Sequence, residues 1–300
     1  MMHVKRLLRN RNFILILSLI LGLTLHQGAK FTERLVLPTL VFIMMLSMTS
    51  ITGALFRSPR RWIKHIMTSL LINYIILGGA IIFLASLLRL EESQRTGFIV
   101  LASVPPAVAV LPFTNFLEGN FEFSLVGFTA CYMGAFVITP LTLTTFLGLQ
   151  PGFQEMLFML LIELIILPLI LSRILVTTKI ASFIEPFKGT MINWGFFLII
   201  YTIVGLNSGT FLNNPASIIP LAAIALSITF ILGFIIKGIG KKFRVDSNTI
   251  TSMILLGTSK NSGFAAGIAL ALFGVESTVP STITTIFMLL YVIFLDFQKK

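Results

Sequence analysis

Residues 248–273 read NTITSMILLGTSKNSGFAAGIALALF. The flanks are apolar enough to cross a bilayer, but Thr258-Ser259-Lys260-Asn261-Ser262-Gly263 puts a cation, an amide and hydroxyls at mid-depth. A charge there is costly unless it faces a partner or a wet cavity. The stretch therefore reads as an interrupted helix, whose freed backbone groups must be buried in protein or line a cavity. A second interruption lies in LASVPPAVAVLPFTNFLEG, residues 101–119. Pro105 and Pro106 remove two backbone donors and disfavour α geometry before each ring. Leu101, Leu117 and Gly119 recur 155 residues later as Leu256, Leu272 and Gly274. A proline kink accounts for the first break alone. Two breaks at corresponding positions point to the substrate site of a secondary transporter.

Working outward, the 300 residues are 56% hydrophobic and 11% charged, with mean hydropathy +0.98. Soluble domains carry about 25% charged residues, so most of this chain belongs in hydrocarbon. The apolar runs are continuous rather than alternating, which excludes a β-barrel. They predict spans at 12–29, 33–56, 66–88, 96–117, 122–147, 153–176, 191–208, 216–237, 248–273 and 279–297. With the N-terminus cytoplasmic, 16 of the 22 Lys and Arg fall on the inner side and 4 (Lys30, Arg34, Arg89, Arg95) on the outer. That asymmetry follows the positive-inside rule and would be scrambled by one span more or fewer. The expected fold is an all-α polytopic membrane protein of ten transmembrane helices. Five spans per half is odd, so the halves, 1–150 and 151–300, form two inverted repeats. The short loops suit an inner membrane, with both termini cytoplasmic.

The net charge of +11 orients the chain in the lipid bilayer and does not indicate nucleic acid. One cysteine, Cys131, and the scattered His3, His26 and His65 give no metal cluster. An intramembrane enzyme needs a nucleophile–base pair or a metal, and no such pair falls within the spans; no cofactor is implied. A scaffold or sensor remains an alternative, but it needs neither the matched breaks nor Lys260. Glu163, in LFMLLIELIILPLIL, is a second intramembrane charge. It is a candidate partner for Lys260, pairing in one state and releasing in another so as to couple transport to protons. A packing hydrogen bond to Asn193, Asn207 or a hydroxyl is the competing role. Asn193, Trp194 and Tyr201 are candidates to line a cavity.

Four segments together resemble the bile acid:sodium symporter superfamily over nearly the whole chain. They are LPTLVFIMMLSMTSI at 37–51, GNFEFSLVGFTACYMGAFVITPLTL at 119–143, LPLILSRIL at 167–175, and the Asn-Ser-Gly-x-Ala-Ala stretch Asn261 to Ala266. The resemblance implies a core domain of spans 3, 4, 5, 8, 9 and 10 and a panel domain of spans 1, 2, 6 and 7. Spans 4 and 9 cross at their breaks, and substrate binds between core and panel by alternating access. The substrate expected is a small or amphipathic organic anion, and the protein a monomer or homodimer.

The resemblance also implies a sodium site of hydroxyls, amides and one carboxylate near the crossing, and here the sequence departs from it. The span-four Ser-Asn pair falls on Val110 and Leu111. The span-five hydroxyls fall on Phe128 and Tyr132, with Thr129 and Cys131 beside them. The span-nine Glu falls on Leu256, and the Gln before Asn261 on Lys260. Asn73 keeps the span-three amide; Thr258 and Ser259 complete the candidate remnants. The expectation is sodium-independent transport with Lys260 as a fixed or protonatable surrogate cation. A sodium-coupled symporter with a rebuilt ion site is the alternative, and a purely structural Lys260 tie the other.

Overall fold

The computed structural model describes residues 11–49, 59–148, 151–213 and 215–298. The basic residues Lys5, Arg6, Arg9, Arg57, Lys299 and Lys300, part of the orientation argument, lie outside the described residues. In chain order the helices are α1 (Arg11–Thr24), α2 (His26–Met48), α3 (Trp62–Leu87), α4 (Glu92–Ser103), α5 (Val110–Phe116) and α6 (Phe121–Leu147). They continue as α7 (Gly152–Thr177), α8 (Lys188–Leu206), α9 (Pro215–Lys242), α10 (Ser247–Thr258), α11 (Ser262–Phe273) and α12 (Val275–Phe297). No β-strand occurs among the described residues; a lone antiparallel bridge joins Pro106 and Lys260.

Seven of these helices, α2, α3, α6, α7, α8, α9 and α12, are long and apolar enough to cross a membrane. The chain is a multi-pass membrane protein. In hydrocarbon a spanning backbone must satisfy its own hydrogen bonds, which is why these apolar runs become helices. The outer faces carry the residues lipid wets: Ile75, Val137, Leu141 and Ile219 are each more than three-fifths exposed. The segments read as spans 96–117 and 248–273 each come as two short helices. A 12-residue helix is about 18 Å long, so α10 and α11 each reach only partway through a core of about 30 Å.

Local caps set the lower ends of the broken segments. Asn120 caps α6 by accepting the Phe123 N–H at 3.0 Å, and Asp246 caps α10 by accepting the Thr249 N–H at 2.8 Å. The two starts are then tied: Asn120 Nδ2 donates to Thr249 Oγ1 at 2.9 Å, and Ser252 Oγ donates to the Asn120 carbonyl at 2.9 Å. Packing gathers α8 against α1 and α2, with α7 on α2. Tyr201 fixes the first contact by donating to the Leu25 carbonyl at 2.9 Å. Elsewhere α6 lies on α3 and α4, α10 on the end of α9, and α4 on α11 and α12. Three helices carry a π-helical turn, at Leu71–Gly78, Ile162–Ile166 and Ser227–Ile231. Nothing in the apolar periodicity predicts them; such turns concentrate at functional positions.

Candidate functional site at the helix crossing

Two helix ends meet inside the molecule. α4 stops at Ser103 because Val104 turns extended ahead of the proline pair. α10 stops at Thr258, with Ser259 extended. The last carbonyls of a helix have no partner within it, and at both breaks carbonyls at or just past the helix end find one from another element. Thr139 Oγ1 donates to the Ser103 carbonyl at 2.8 Å, and Lys260 Nζ to that of Val104 at 2.8 Å. The Asn261 N–H donates to the Pro105 carbonyl at 2.9 Å, and the Tyr132 hydroxyl to that of Pro106 at 3.2 Å. From the other side, the Ala107 N–H donates to the Ser259 carbonyl at 3.0 Å, and Asn73 Nδ2 to that of Leu256 at 2.8 Å.

Lys260 is the centre of this arrangement. Its side chain is 1% exposed. Nζ donates to Asn73 Oδ1 at 3.0 Å as well as to Val104, and stands 4.5 Å from the centroid of the Tyr74 ring. Asn73 and Tyr74 both ride on the π-helical turn of α3. Two helices end at this point, and helix C-termini carry partial negative charge. The ammonium therefore sits where carbonyl oxygens, an amide oxygen and an aromatic face converge. A cation–π contact of a desolvated cation contributes about 2 kcal/mol.

Asn261 governs the restart. It caps α11 by accepting the Phe264 N–H at 3.0 Å, while its Nδ2 donates to the Tyr132 hydroxyl at 2.8 Å. Tyr132 thus couples α6 to both breaks. Tyr132→Phe leaves the Asn261 amide and the Pro106 carbonyl short of a partner in a dry interior. A loss of about 1–3 kcal/mol of stability is expected, read as a lower melting temperature at unchanged helix content.

Two cavities adjoin the crossing. The larger, about 420 Å³, is lined by α5, the lower part of α8 and the segment before it, with Asn115, Lys188 and Asn193 among its polar groups. The smaller, about 40 Å³, lies between α11, α12 and α8, beside Asn261, Ser262 and Gly263. Ala109 and Phe196 line both, so the two share a wall. The larger falls in the size range of small-molecule sites, about 300–1,000 Å³. The smaller has room for about one water.

The model of the Sodium Bile acid symporter family matches residues 37–214, more than half of the chain. The chain belongs to that family. Its members are membrane transporters. A comparison with curated proteins finds no match.

In this bile acid symporter family member the structure brings Pro105, Pro106, Lys260, Asn261, Ser262 and Gly263 together at the crossing, with Asn73 and Tyr132 in direct contact. Other candidates are buried but turn to different partners. Thr129 Oγ1 donates to the Leu125 carbonyl and Thr258 Oγ1 to that of Ile254, each within its own helix. Ser259 enters through its carbonyl. Cys131 is fully buried, its thiol 3.7 Å from the Ser69 carbonyl and its own carbonyl accepting from Tyr74.

Glu163 is not brought to Lys260. It lies exposed on α7, beside Ile162 at 51% exposure, on a face turned away from the crossing. The buried positions of α7 run Leu157, Leu160, Leu161, Leu164, Ile165 and Pro168, and Glu163 falls outside that stripe. Asn207 instead donates to the Ile203 carbonyl and Thr278 Oγ1. Of the three cavity candidates on α8, Asn193 lines the larger cavity, while Tyr201 is spent on Leu25 and Trp194 packs on Phe197. Sequence reasoning missed Tyr74 and Thr139: a tyrosine and a threonine in apolar runs give no sign that one faces an ammonium and the other a helix end.

Proposed function

We propose that this protein is a secondary active transporter of an organic anion, working by alternating access without sodium, with Lys260 in place of the bound cation. The observation that carries this reading is the environment of the Lys260 ammonium. It lies at the meeting of two helix C-termini, bonded to oxygen at 3.0 and 2.8 Å and facing an aromatic ring. Discontinuous helices in transporters use these carbonyl ends to hold a coupling cation and the opposite, positive ends to face an anion. A tethered ammonium fills the first role permanently.

The architecture behind the proposal is ten spans in two inverted repeats, 1–150 and 151–300, in an inner membrane with cytoplasmic termini. Its support is the matched pair of breaks and their 155-residue offset. The grouping of α1, α2, α7 and α8 apart from α3–α6 and α9–α12 supports a panel moving against a core. In that orientation Glu185 and Lys188, which line the larger cavity, fall on the cytoplasmic side, and the cavity is read as opening there.

The test compares organic-anion flux in proteoliposomes with sodium or potassium as the only inorganic cation. Equal flux, and a melting temperature indifferent to the exchange, is the expected result. Flux that follows an imposed sodium gradient would sink the surrogate-cation reading and favour a rebuilt ion site.

A further inference from the structure

Four buried side-chain polar atoms among the described residues have no hydrogen-bond partner: His65 Nδ1, Ser69 Oγ, Ser262 Oγ and Ser281 Oγ. Buried polar groups are almost always paired, so each exception calls for a reason. Neither His65 nor Ser69 lines either cavity beside the crossing. Ser262 and Ser281 both line the small cavity, from different helices. Ser262 is the first residue of α11 and 7% exposed; Ser281, near the start of α12, is 1% exposed.

The hydroxyls of their neighbours are committed elsewhere. Thr285 Oγ1 donates to the Ser281 carbonyl at 2.9 Å and Thr282 Oγ1 to that of Thr278 at 3.4 Å, both within α12. Among the hydroxyls on this lining, those of Ser262 and Ser281 alone have no partner. Ser262 stands at the positive end of the 12-residue α11, whose first N–H groups favour negative charge, and Ser281 reaches the same cavity from α12. The facing wall is aliphatic, from Leu15, Ile199, Ile203, Met288 and Leu289. Lys260 is the one ionisable residue on the lining, and its ammonium is already bonded to Asn73 and Val104.

We infer that Ser262 and Ser281 form a polar subsite that grips the carboxylate of a monoanionic substrate, the aliphatic wall taking its apolar body. This rests on the transport reading and assigns two residues of its site. Two hydroxyl donors and a helix end match one carboxylate. A phosphomonoester carries a further charge and finds no free cation on this lining, so it is excluded. The cleft must widen to admit more than about one water's volume, which the panel's movement away from α11 and α12 supplies.

The experiment uses the full chain purified in detergent, with phenylacetate, phenylacetamide and phenyl phosphate as probes of thermal unfolding. Phenylacetate is expected to raise the melting temperature, the amide to do so more weakly, and the phosphate not at all. In Ser281→Ala the apparent affinity for phenylacetate falls about tenfold or more, as for loss of one hydrogen bond to a charged group. Without ligand the variant melts no lower than the wild type, because the hydroxyl bonds nothing in the free protein. Ser262→Ala repeats the test from the other helix. A lower melting temperature without ligand would show a structural hydroxyl and overturn the assignment, as would undiminished phenylacetate affinity in both variants. Absence of a phenylacetate shift in the wild type, or a larger one from phenyl phosphate, would also overturn it. None of these outcomes touches the sodium comparison, so the subsite can fail while sodium-independent transport stands.

Discussion

Lys260→Ala is expected to cost about 2–5 kcal/mol of stability, the range for truncating a large buried side chain and leaving its cavity. The substitution leaves the Val104 carbonyl and Asn73 Oδ1 without a donor, exposes the Tyr74 face, and opens a void where an almost fully buried side chain stood. Loss of transport in that variant would therefore not separate charge from folding. Lys260→Gln separates them. Its amide can donate to oxygen from a similar place, so most of the fold should survive, but it brings no positive charge to the two helix ends. If the ammonium is the cation of the cycle, Lys260→Gln folds and transports at a small fraction of the wild-type rate in either sodium or potassium. Transport retained at the wild-type rate would reduce Lys260 to a tie between breaks. Melting curves and proteoliposome flux on the same preparations decide between these outcomes.

The parts of this molecule legible in the sequence are those written in residue types that are expensive in hydrocarbon. Pro105-Pro106 and Lys260-Asn261 cannot sit on a lipid-facing helix, so their meeting at Pro106 and Lys260 follows from where backbone and charge must find partners. Asn73 was legible only through the family resemblance, as the kept span-three amide. What was not legible depends on rotation about a helix axis. Glu163 is as costly a residue as Lys260, yet it falls outside the buried stripe of Leu157, Leu161, Leu164 and Pro168, and one charge in a uniformly apolar run does not tell which face packs inward. Tyr201 and Asn193 lie eight residues apart on one helix, and only the packing of α1 separates the tie to Leu25 from the cavity wall. Tyr74 was hidden because aromatic residues are ordinary packing in such helices. The orphan hydroxyls of Ser262 and Ser281 are visible only after the other hydroxyls lining the small cavity have been assigned their partners.

The second large effect concerns the frame that holds the crossing. A methyl group added at Gly97 of α4 would fall within contact distance of the Ser277 carbonyl oxygen and lie 2.9 Å from Pro280 Cγ. Ser277 and Pro280 lead into α12, the helix that carries Ser281, and their backbone cannot yield without moving that helix. Small residues let membrane helices approach closely in this way. Gly257→Ala is the control, since its new methyl meets Ile72 Cγ2 and Ile236 Cδ1, each at 2.5 Å. Ile236 Cδ1 is the end of a side chain that can rotate, whereas Ile72 Cγ2 is a branch methyl held close to its backbone. Overpacking costs about 1–3 kcal/mol, with the upper end where the obstacle is rigid. Gly97→Ala is therefore expected near 3 kcal/mol and Gly257→Ala nearer 2 kcal/mol, although both sites are buried and gain the same methyl. Unfolding midpoints measured side by side test the ordering. Equal losses would mean that α4 and α12 can slide apart cheaply, and that something other than their close approach holds the two breaks in register. A larger loss at Gly97, accompanied by weaker substrate stabilisation, would tie the depth of the α4–α12 contact to the geometry of the crossing itself.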